Sequence, residues 1–173
     1  GTYRVKLVVT SAVNCQSDTT TRDIAVLPLP TTSFNTSSPL CETQSVQFIS
    51  SSVANAGVIT QYTWSVNGTP TGGNNSTINY TPNTAGAYTV QLSVQTDKGC
   101  TGQASSTINV NAKPLASFAT PVICLPAGTA PFNNLSSISD GSQLNYQWNF
   151  GDGNTSSQSN PVHTYVGTGP FNV

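Results

Sequence analysis

Apolar and polar side chains alternate from the start of the chain. Tyr3, Val5, Leu7 and Val9 fall on one face of a predicted strand and Arg4 and Lys6 on the other, the pattern of a strand packing one face on a core. A turn region from Ser11 to Ser17 leads to a second strand from Thr19 to Val26, and Leu27-Pro28-Leu29-Pro30 then makes a stiff, extended joint. From Thr31 the pattern starts afresh. Ser33-Phe34, Val46 to Ile49, Gln61 to Val66, Thr77 to Thr81, Ala87 to Val94 and Thr101 to Val110 read as strands. Asn67-Gly68, Gly72 to Asn75 and Asp97-Lys98-Gly99 supply the turns. No stretch has helical periodicity. About seven short strands between turn signals predict an all-β sandwich of immunoglobulin-like type.

After Lys113-Pro114 the series begins a third time with Ser117-Phe118, Cys124, Phe132 and Trp148. Phe34 and Phe118, Phe48 and Phe132, and Trp64 and Trp148 are each 84 residues apart, and Cys15 and Cys100 are 85 apart. Gly1-Thr2-Tyr3-Arg4-Val5 matches Gly86-Ala87-Tyr88-Thr89-Val90 and Gly169-Pro170-Phe171-Asn172-Val173, so the chain starts and stops in one phase of the repeat. The expectation is a two-period piece of a longer array. Residues 1–30 are then the C-terminal strands of a preceding repeat, 31–114 a complete repeat and 115–173 the N-terminal part of a following one. Phe48, Trp64 and Tyr88, with Phe132 and Trp148, are the expected core. Both tryptophans alternate with other large side chains on one strand face, where the central tryptophan of a sandwich sits, rather than forming a sugar-stacking platform.

The third repeat carries Tyr146-x-Trp148-x-Phe150-Gly151-Asp152-Gly153, then Asn160-Pro161-x-His163-x-Tyr165, then Gly169-x-Phe171-x-Val173. In this it resembles the PKD (polycystic-kidney-disease-type) repeats, immunoglobulin-like sandwiches of cell-surface and secreted proteins. The middle repeat keeps Trp64, Gly86-x-Tyr88-x-Val90 and Asp97-x-Gly99-Cys100. It has Val66-Asn67-Gly68 where the third has Phe150-Gly151-Asp152-Gly153, and Ile78-Asn79-Tyr80-Thr81-Pro82 where the third has the histidine motif. The cysteine placement is also similar to repeats of very large surface proteins of gliding or otherwise surface-active bacteria. The resemblance implies adhesion, spacing or filament building at the bacterial cell surface rather than catalysis, and carries over no binding residues.

Composition narrows the function further. Only 6% of the 173 residues are charged, against roughly 25% in an average soluble domain, so hydroxyls and amides provide solubility. Such a surface suits an exposed, long-lived protein better than a cytosolic enzyme. With a net charge of −1 and five scattered basic residues, the chain lacks the positive stripe that nucleic-acid binding needs. No apolar run approaches the ~18 residues of a membrane-spanning helix, so no membrane insertion is expected. Asn35, Asn67, Asn74, Asn75, Asn134 and Asn154 stand in Asn-x-Ser/Thr triplets, which in so Asn-, Ser- and Thr-rich a sequence mark polar loops.

Candidate chemistry is sparse. His163 is the single histidine, without a Cys-x-x-Cys beside it, and reads as a strand residue hydrogen-bonded to the neighbouring turn rather than a metal ligand. No Gly-x-Ser-x-Gly occurs, so a serine nucleophile has no support. The six acids are spread singly, unlike the converging carboxylates of a calcium site, and Asp152 reads as a turn-stabilising residue. No cofactor and no enzymatic activity are expected.

Cys15 and Cys100 follow the last hairpin turn of a repeat; Cys41 and Cys124 precede the second strand. One of each class per repeat in a charge-poor, extracellular-looking chain suggests disulfides, and four cysteines allow three pairings. The simplest is Cys41 with Cys100. In an immunoglobulin-like sandwich, however, Cys41 lies before the second strand and Cys100 beyond the sixth, which run the same way. The two fall at opposite poles, ~20 Å apart, against the ~7 Å limit of a disulfide. The expectation is therefore interdomain staples, Cys41 to a cysteine beyond Val173 and Cys100 to one ahead of Gly1.

Together these readings predict a structural or adhesive segment of a large secreted surface protein, a stalk or filament of tandem repeats. Its partners are neighbouring repeats, other copies in a filament, and a surface or polymer ligand. The alternative is an accessory polymer-binding module of a secreted hydrolase, which an exposed aromatic row would favour.

Overall fold

The alternation at the start of the chain folds as a hairpin in the computed structural model, which describes residues 1–38, 40–120, 122–123 and 128–173. Strands β1 (Thr2–Leu7) and β2 (Thr20–Ala25) pair antiparallel in unbroken register, from Thr2 opposite Ala25 to Leu7 opposite Thr20. Residues directly opposite share a face. Tyr3 therefore lies beside Ile24 on the apolar face, while Arg4 Nε donates to Asp23 Oδ1 at 2.9 Å on the polar face. Tyr3, Val5 and Leu7 on the apolar face are exposed. Alternation assigns side chains to faces, but no second sheet among the described residues covers this one.

Contacts divide the chain into two units, described separately. The first comprises Gly1–Pro39, Ser45–Tyr80 and Tyr88–Ile108. After the hairpin it contains the strands of the middle repeat: β3 (Phe34–Thr36), β4 (Val46–Ser50), β5 (Ile59–Val66), β6 (Thr69–Thr71), β7 (Thr77–Tyr80), β8 (Gly86–Thr96) and β9 (Thr101–Val110), with the ends of the last two reaching the second unit. They form a three-stranded sheet in the order β3-β4-β7 and a four-stranded sheet in the order β6-β5-β8-β9. Strand β8 shows why they pack. Its residues Tyr88, Val90, Leu92, Val94 and Thr96 are buried in strict alternation, while Thr89 and Gln91 are exposed and Ser93 and Gln95 are partly covered. Burying each of the large apolar side chains contributes about 1.5–3 kcal/mol. From the other sheet Val46 and Phe48 meet this face with no exposure, and the Phe48 and Trp64 rings stack at 6.1 Å.

The turns follow their residues. Asn67 and Gly68 both take positive φ, 49° and 76°, as a two-residue hairpin loop demands, and β6 follows directly. That strand was not among those expected from the sequence. It contains Pro70, which is tolerated because β6 is an edge and Pro has no N–H to contribute to a further strand.

The second unit comprises Leu40–Gln44, Thr81–Ala87 and Asn109–Val173. Its strands are short: β10 (Phe118–Ala119), β11 (Thr129–Pro131), β12 (Asn133–Asn134), β13 (Trp148–Asn149), β14 (Thr155–Ser156) and β15 (Val162–Thr164). They pair as β10-β12, β11-β15 and β13-β14. The aromatic strand expected from Tyr146 to Phe150 is thus paired only over Trp148–Asn149. Ala130, Phe132, Trp148, Phe150 and Tyr165 form its buried cluster.

The two repeats copy one another at the level of side chains. The Phe34, Phe48 and Trp64 rings lie at 6.4, 5.3 and 6.1 Å from one another, and Phe118, Phe132 and Trp148 at 6.3, 5.2 and 5.7 Å in the same order of pairs. Ser52 Oγ accepts from the Ser33 N–H and donates to the Ser33 carbonyl; Ser136 does the same with Ser117. The bridge of Thr31 with Val53 recurs as Leu115 with Ser137. Each tryptophan also satisfies its indole on a nearby carbonyl, Trp64 on Asn75 at 3.0 Å and Trp148 on Gln158 at 2.8 Å.

Candidate functional site

The residues with most chemical potential converge at one place in the third repeat. Phe150 ends the aromatic segment and Gly151-Asp152-Gly153 turns the chain, with φ of 78° at Gly151 and 91° at Gly153 that favour glycine. The turn is closed locally: Asn149 Oδ1 accepts from the Gly151 N–H, and the Asn154 N–H and side-chain amide both donate to the Asp152 carboxylate, each at 3.0 Å. Strand β15 pairs His163 with Ala130 and so carries the imidazole back over the turn.

There His163 Nε2 lies 2.7 Å from Asp152 Oδ2, and because an ionised carboxylate can only accept, the imidazole N–H donates. The imidazole stacks on Phe150 at 4.2 Å with 4° between the planes, and Tyr165 meets it edge-on at 4.6 Å. Tyr165 in turn donates its hydroxyl to the Phe150 carbonyl at 3.0 Å and stacks on Phe171. Partial desolvation pushes the Asp152 carboxyl upward, but the hydrogen bonds from His163 and from Asn154 outweigh it and hold the group at about 2. Burial raises the Tyr165 phenol, helped by the negative charge on Asp152.

This arrangement is closed rather than poised. The carboxylate oxygens are taken up by His163 and Asn154, and the imidazole is pinned by its bond and its two ring neighbours. Among the described residues no group of three or more His, Cys, Asp or Glu side chains could hold a metal ion. His163 is, as its position in the motif predicts, a strand histidine bonded to the neighbouring turn. The middle repeat turns at the corresponding place in a shorter, two-residue loop, Asn67-Gly68, and has neither residue. Within that loop Asn67 Oδ1 accepts from the Thr89 N–H at 2.8 Å.

A second polar constellation was not foreseen. Glu42 Oε1 accepts from the Lys113 N–H at 3.0 Å and Oε2 from the Ala85 N–H at 2.9 Å, while its own N–H donates to the Asn111 carbonyl. Asp140 Oδ2 accepts from the Ala112 N–H at 3.4 Å and Oδ1 from the Ser142 N–H. Residues 111–113, the joint that leads into the third repeat, are thus held by two carboxylates. A single acid in a polar loop gives no periodic signal, so nothing in the sequence separates Glu42 from a solvated side chain.

Among the described residues no disulfide joins the cysteines. Cys15, Cys41 and Cys100 carry free thiols, and Cys124 lies outside the described residues. Cys100 immediately precedes β9, whereas Cys41 bridges to Asn111 just beyond the other end of that strand. The five expected core residues are buried: Phe48, Trp64 and Tyr88 in the middle repeat, Phe132 and Trp148 in the third. No helix among the described residues is long and apolar enough to cross a membrane. Several asparagines of the Asn-x-Ser/Thr triplets serve the backbone; Asn74 accepts from the Tyr62 N–H and donates to the Thr60 carbonyl.

The family profile described as PKD domain matches residues 28–110 and again 111–173. PKD modules are structural or binding domains, generally non-catalytic and typically extracellular. A solved structure of carbohydrate-binding modules from the β-sandwich superfamily is similar over 56% of this chain, at 22% identity and a TM-score of 0.46. That match spans 50% of the other chain. With two consecutive matches that together cover most of its length, the chain belongs to the PKD domain family.

Proposed function

We propose that the chain is a structural or adhesive segment of a large secreted surface protein, in which tandem PKD repeats form a stalk or filament. The observation that carries this reading is what the two repeats share. The aromatic triangle, the serine clasp and the tryptophan hydrogen bond recur in both, whereas the Asp152–His163 pair occurs in one. Features kept at an 84-residue spacing are those that hold a sandwich together, and the feature that differs is the one that resembles a site. The carboxylate-held joint at 111–113 fits a spacer, since a held linker transmits position better than a slack one. On this reading residues 1–30 close a preceding repeat, 31–114 form one repeat and 115–173 open the next, and the cysteines serve staples to neighbouring domains.

The alternative, an accessory polymer-binding module of a secreted hydrolase, calls for an exposed aromatic row. Trp64 and Trp148 are instead buried with their indoles satisfied. Co-sedimentation of the 173-residue protein with insoluble cellulose, chitin and xylan distinguishes the two. The stalk reading expects the protein to stay in the supernatant with all three; saturable retention by any of them would replace it with the binding-module reading.

A further inference from the structure

The outer face of the four-stranded sheet in the middle repeat is polar and carries no charge. Alternation along β8 turns Tyr88, Val90, Leu92 and Val94 inward, so Thr89, Gln91, Ser93 and Gln95 point outward. Register with β5 sets Gln61 opposite Gln95, Thr63 opposite Ser93 and Ser65 opposite Gln91. Strand β9 extends the face with Gln103 and Ser105, both exposed, on the side away from the buried Ile108 and Val110. The fold does not forbid charge at these positions. Arg4 and Lys6 stand 85 residues before Thr89 and Gln91, in the phase that relates Tyr3 to Tyr88.

The hydrogen-bonding capacity of this face is unspent. Among the described residues, none of the six paired side chains of β5 and β8 takes part in a hydrogen bond; Thr60 Oγ1 donates to the main-chain carbonyl of Gln95. The outer face of the β3-β4-β7 sheet differs, since there Gln47 Nε2 donates to Asn79 Oδ1 and the apolar Ile49 is exposed. A glutamine amide and a hydroxyl can each donate and accept, so a face built from them matches a second copy of itself. The rings that would stack on a sugar are turned away, with Trp64 and Tyr88 buried. Gln61, Thr63, Ser93 and Gln95 also rim a shallow depression of about 220 Å³, and Gln91 lies beyond it along β8.

We propose that this face is a lateral contact between two copies of the chain, packed sheet on sheet about a two-fold axis. The symmetry lets Gln91 of each copy enter the depression of the other, one contact made twice. A net charge of −1 leaves little repulsion between copies. Four strands about 4.8 Å apart and roughly 20 Å of β8 give a face of roughly a few hundred Å², short of the roughly 800 Å² per partner of a stable interface. The contact of one repeat is therefore weak, and tandem repeats engaged together multiply it. The inference deepens the filament reading, on which it rests, by supplying the side-to-side contact that distinguishes a multi-chain filament from a single stalk.

The test uses the whole 173-residue protein under reducing conditions. Isotope-labelled protein is followed by NMR over a hundredfold concentration range reaching the millimolar, with sedimentation velocity alongside. Amide shifts of β5, β8 and β9 are expected to move together along one monomer–dimer isotherm. Gln61→Lys combined with Gln91→Lys sets like charges across the contact and is expected to weaken dimerisation by about tenfold or more; Gln61→Glu with Gln91→Glu does the same. Mixing the Lys and Glu proteins is expected to restore association to at least the wild-type level, a rescue that loss of folding could not produce. Spectra that do not change with concentration, shifts that map elsewhere, or Lys and Glu proteins that associate no better mixed than alone would each overturn the proposal. So would movement of the same amides on adding soluble xylan at fixed protein concentration, which would give the face to a neutral polymer. A protein that neither dimerises nor is retained by cellulose, chitin or xylan keeps the stalk reading and loses this contact, so the two failures are distinct results.

Discussion

His163 donates to Asp152 at 2.7 Å while its ring lies flat on Phe150, so one side chain ties a strand to the turn that precedes it by eleven residues. The pair has the composition of a catalytic dyad and the surroundings of a structural bolt. Its consequences are therefore read in stability.

The Asp152 carboxyl sits at about 2 in the folded chain, below the ~3.9 of an unperturbed aspartate. A depressed value means the ionised form is favoured by folding. Its contribution is fully present above about pH 4 and is lost as pH falls toward about 2. Carbon-detected NMR should show Asp152 titrating at about 2. Acid unfolding of the third repeat should become less steep over this window in Asp152→Asn, at the cost of a lower starting stability. An Asp152 midpoint near 4 would refute this account.

Gly151 and Gly153 both have positive φ, yet they should respond differently to alanine. A Cβ on Gly153 would meet nothing within 4 Å, leaving only the left-handed backbone penalty of about 1–2 kcal/mol. A Cβ on Gly151 would also lie 2.8 Å from the Asn172 backbone nitrogen. Gly151→Ala is thus expected to destabilise more than Gly153→Ala and to raise hydrogen exchange over residues 169–173, measured by mass spectrometry. Equal effects would show that Asn172 does not pack there.

Glu42 accepts from two backbone amides, those of Ala85 and Lys113. Glu42→Ala should cost about 1–3 kcal/mol and speed exchange at both amides. Glu42→Gln keeps one acceptor oxygen and should fall between. Unchanged protection at both amides in the alanine variant would dismiss the clamp.

Phe48 has no exposed surface and touches Phe34, Trp64 and Tyr80. Phe48→Ala should cost about 3–5 kcal/mol, a large share of what a domain of this size possesses, and urea unfolding would show it. Ile49, its neighbour on the opposite face, is exposed, and Ile49→Ala should change the midpoint little.

Free thiols give a further check. Cys15 is exposed and Cys41 and Cys100 are partly covered, so Cys15 should react first with a chromogenic disulfide. Peptide mapping without reduction should recover Cys15, Cys41 and Cys100 unbridged.

Much of the middle repeat was legible from spacing alone. Strand β8 alternates over eleven residues and can be half-buried in only one register, and Asn67-Gly68 admits few conformations other than a tight hairpin. Strand β6 escaped notice because its three residues include a proline and carry no period. The pairing of His163 with its turn was readable because the motif places them close in sequence. Glu42 was not, since its partners lie 43 and 71 residues away and only the fold brings them together.

The sequence by itself determined the strand faces, the 84-residue repetition and the all-β class, because each follows from local alternation and from residues that recur at a constant distance. Only the tertiary structure decided what each face meets. Val46 and Phe48 share a face by alternation, and they are buried because the sheet containing β5 and β8 stands opposite. Burial is a property of the opposing surface, and the local sequence that directs a side chain toward it cannot supply it. The same holds for Asp152 and His163, whose residue types allow chemistry and whose closed contacts with Asn154, Phe150 and Tyr165 turn them to holding the fold.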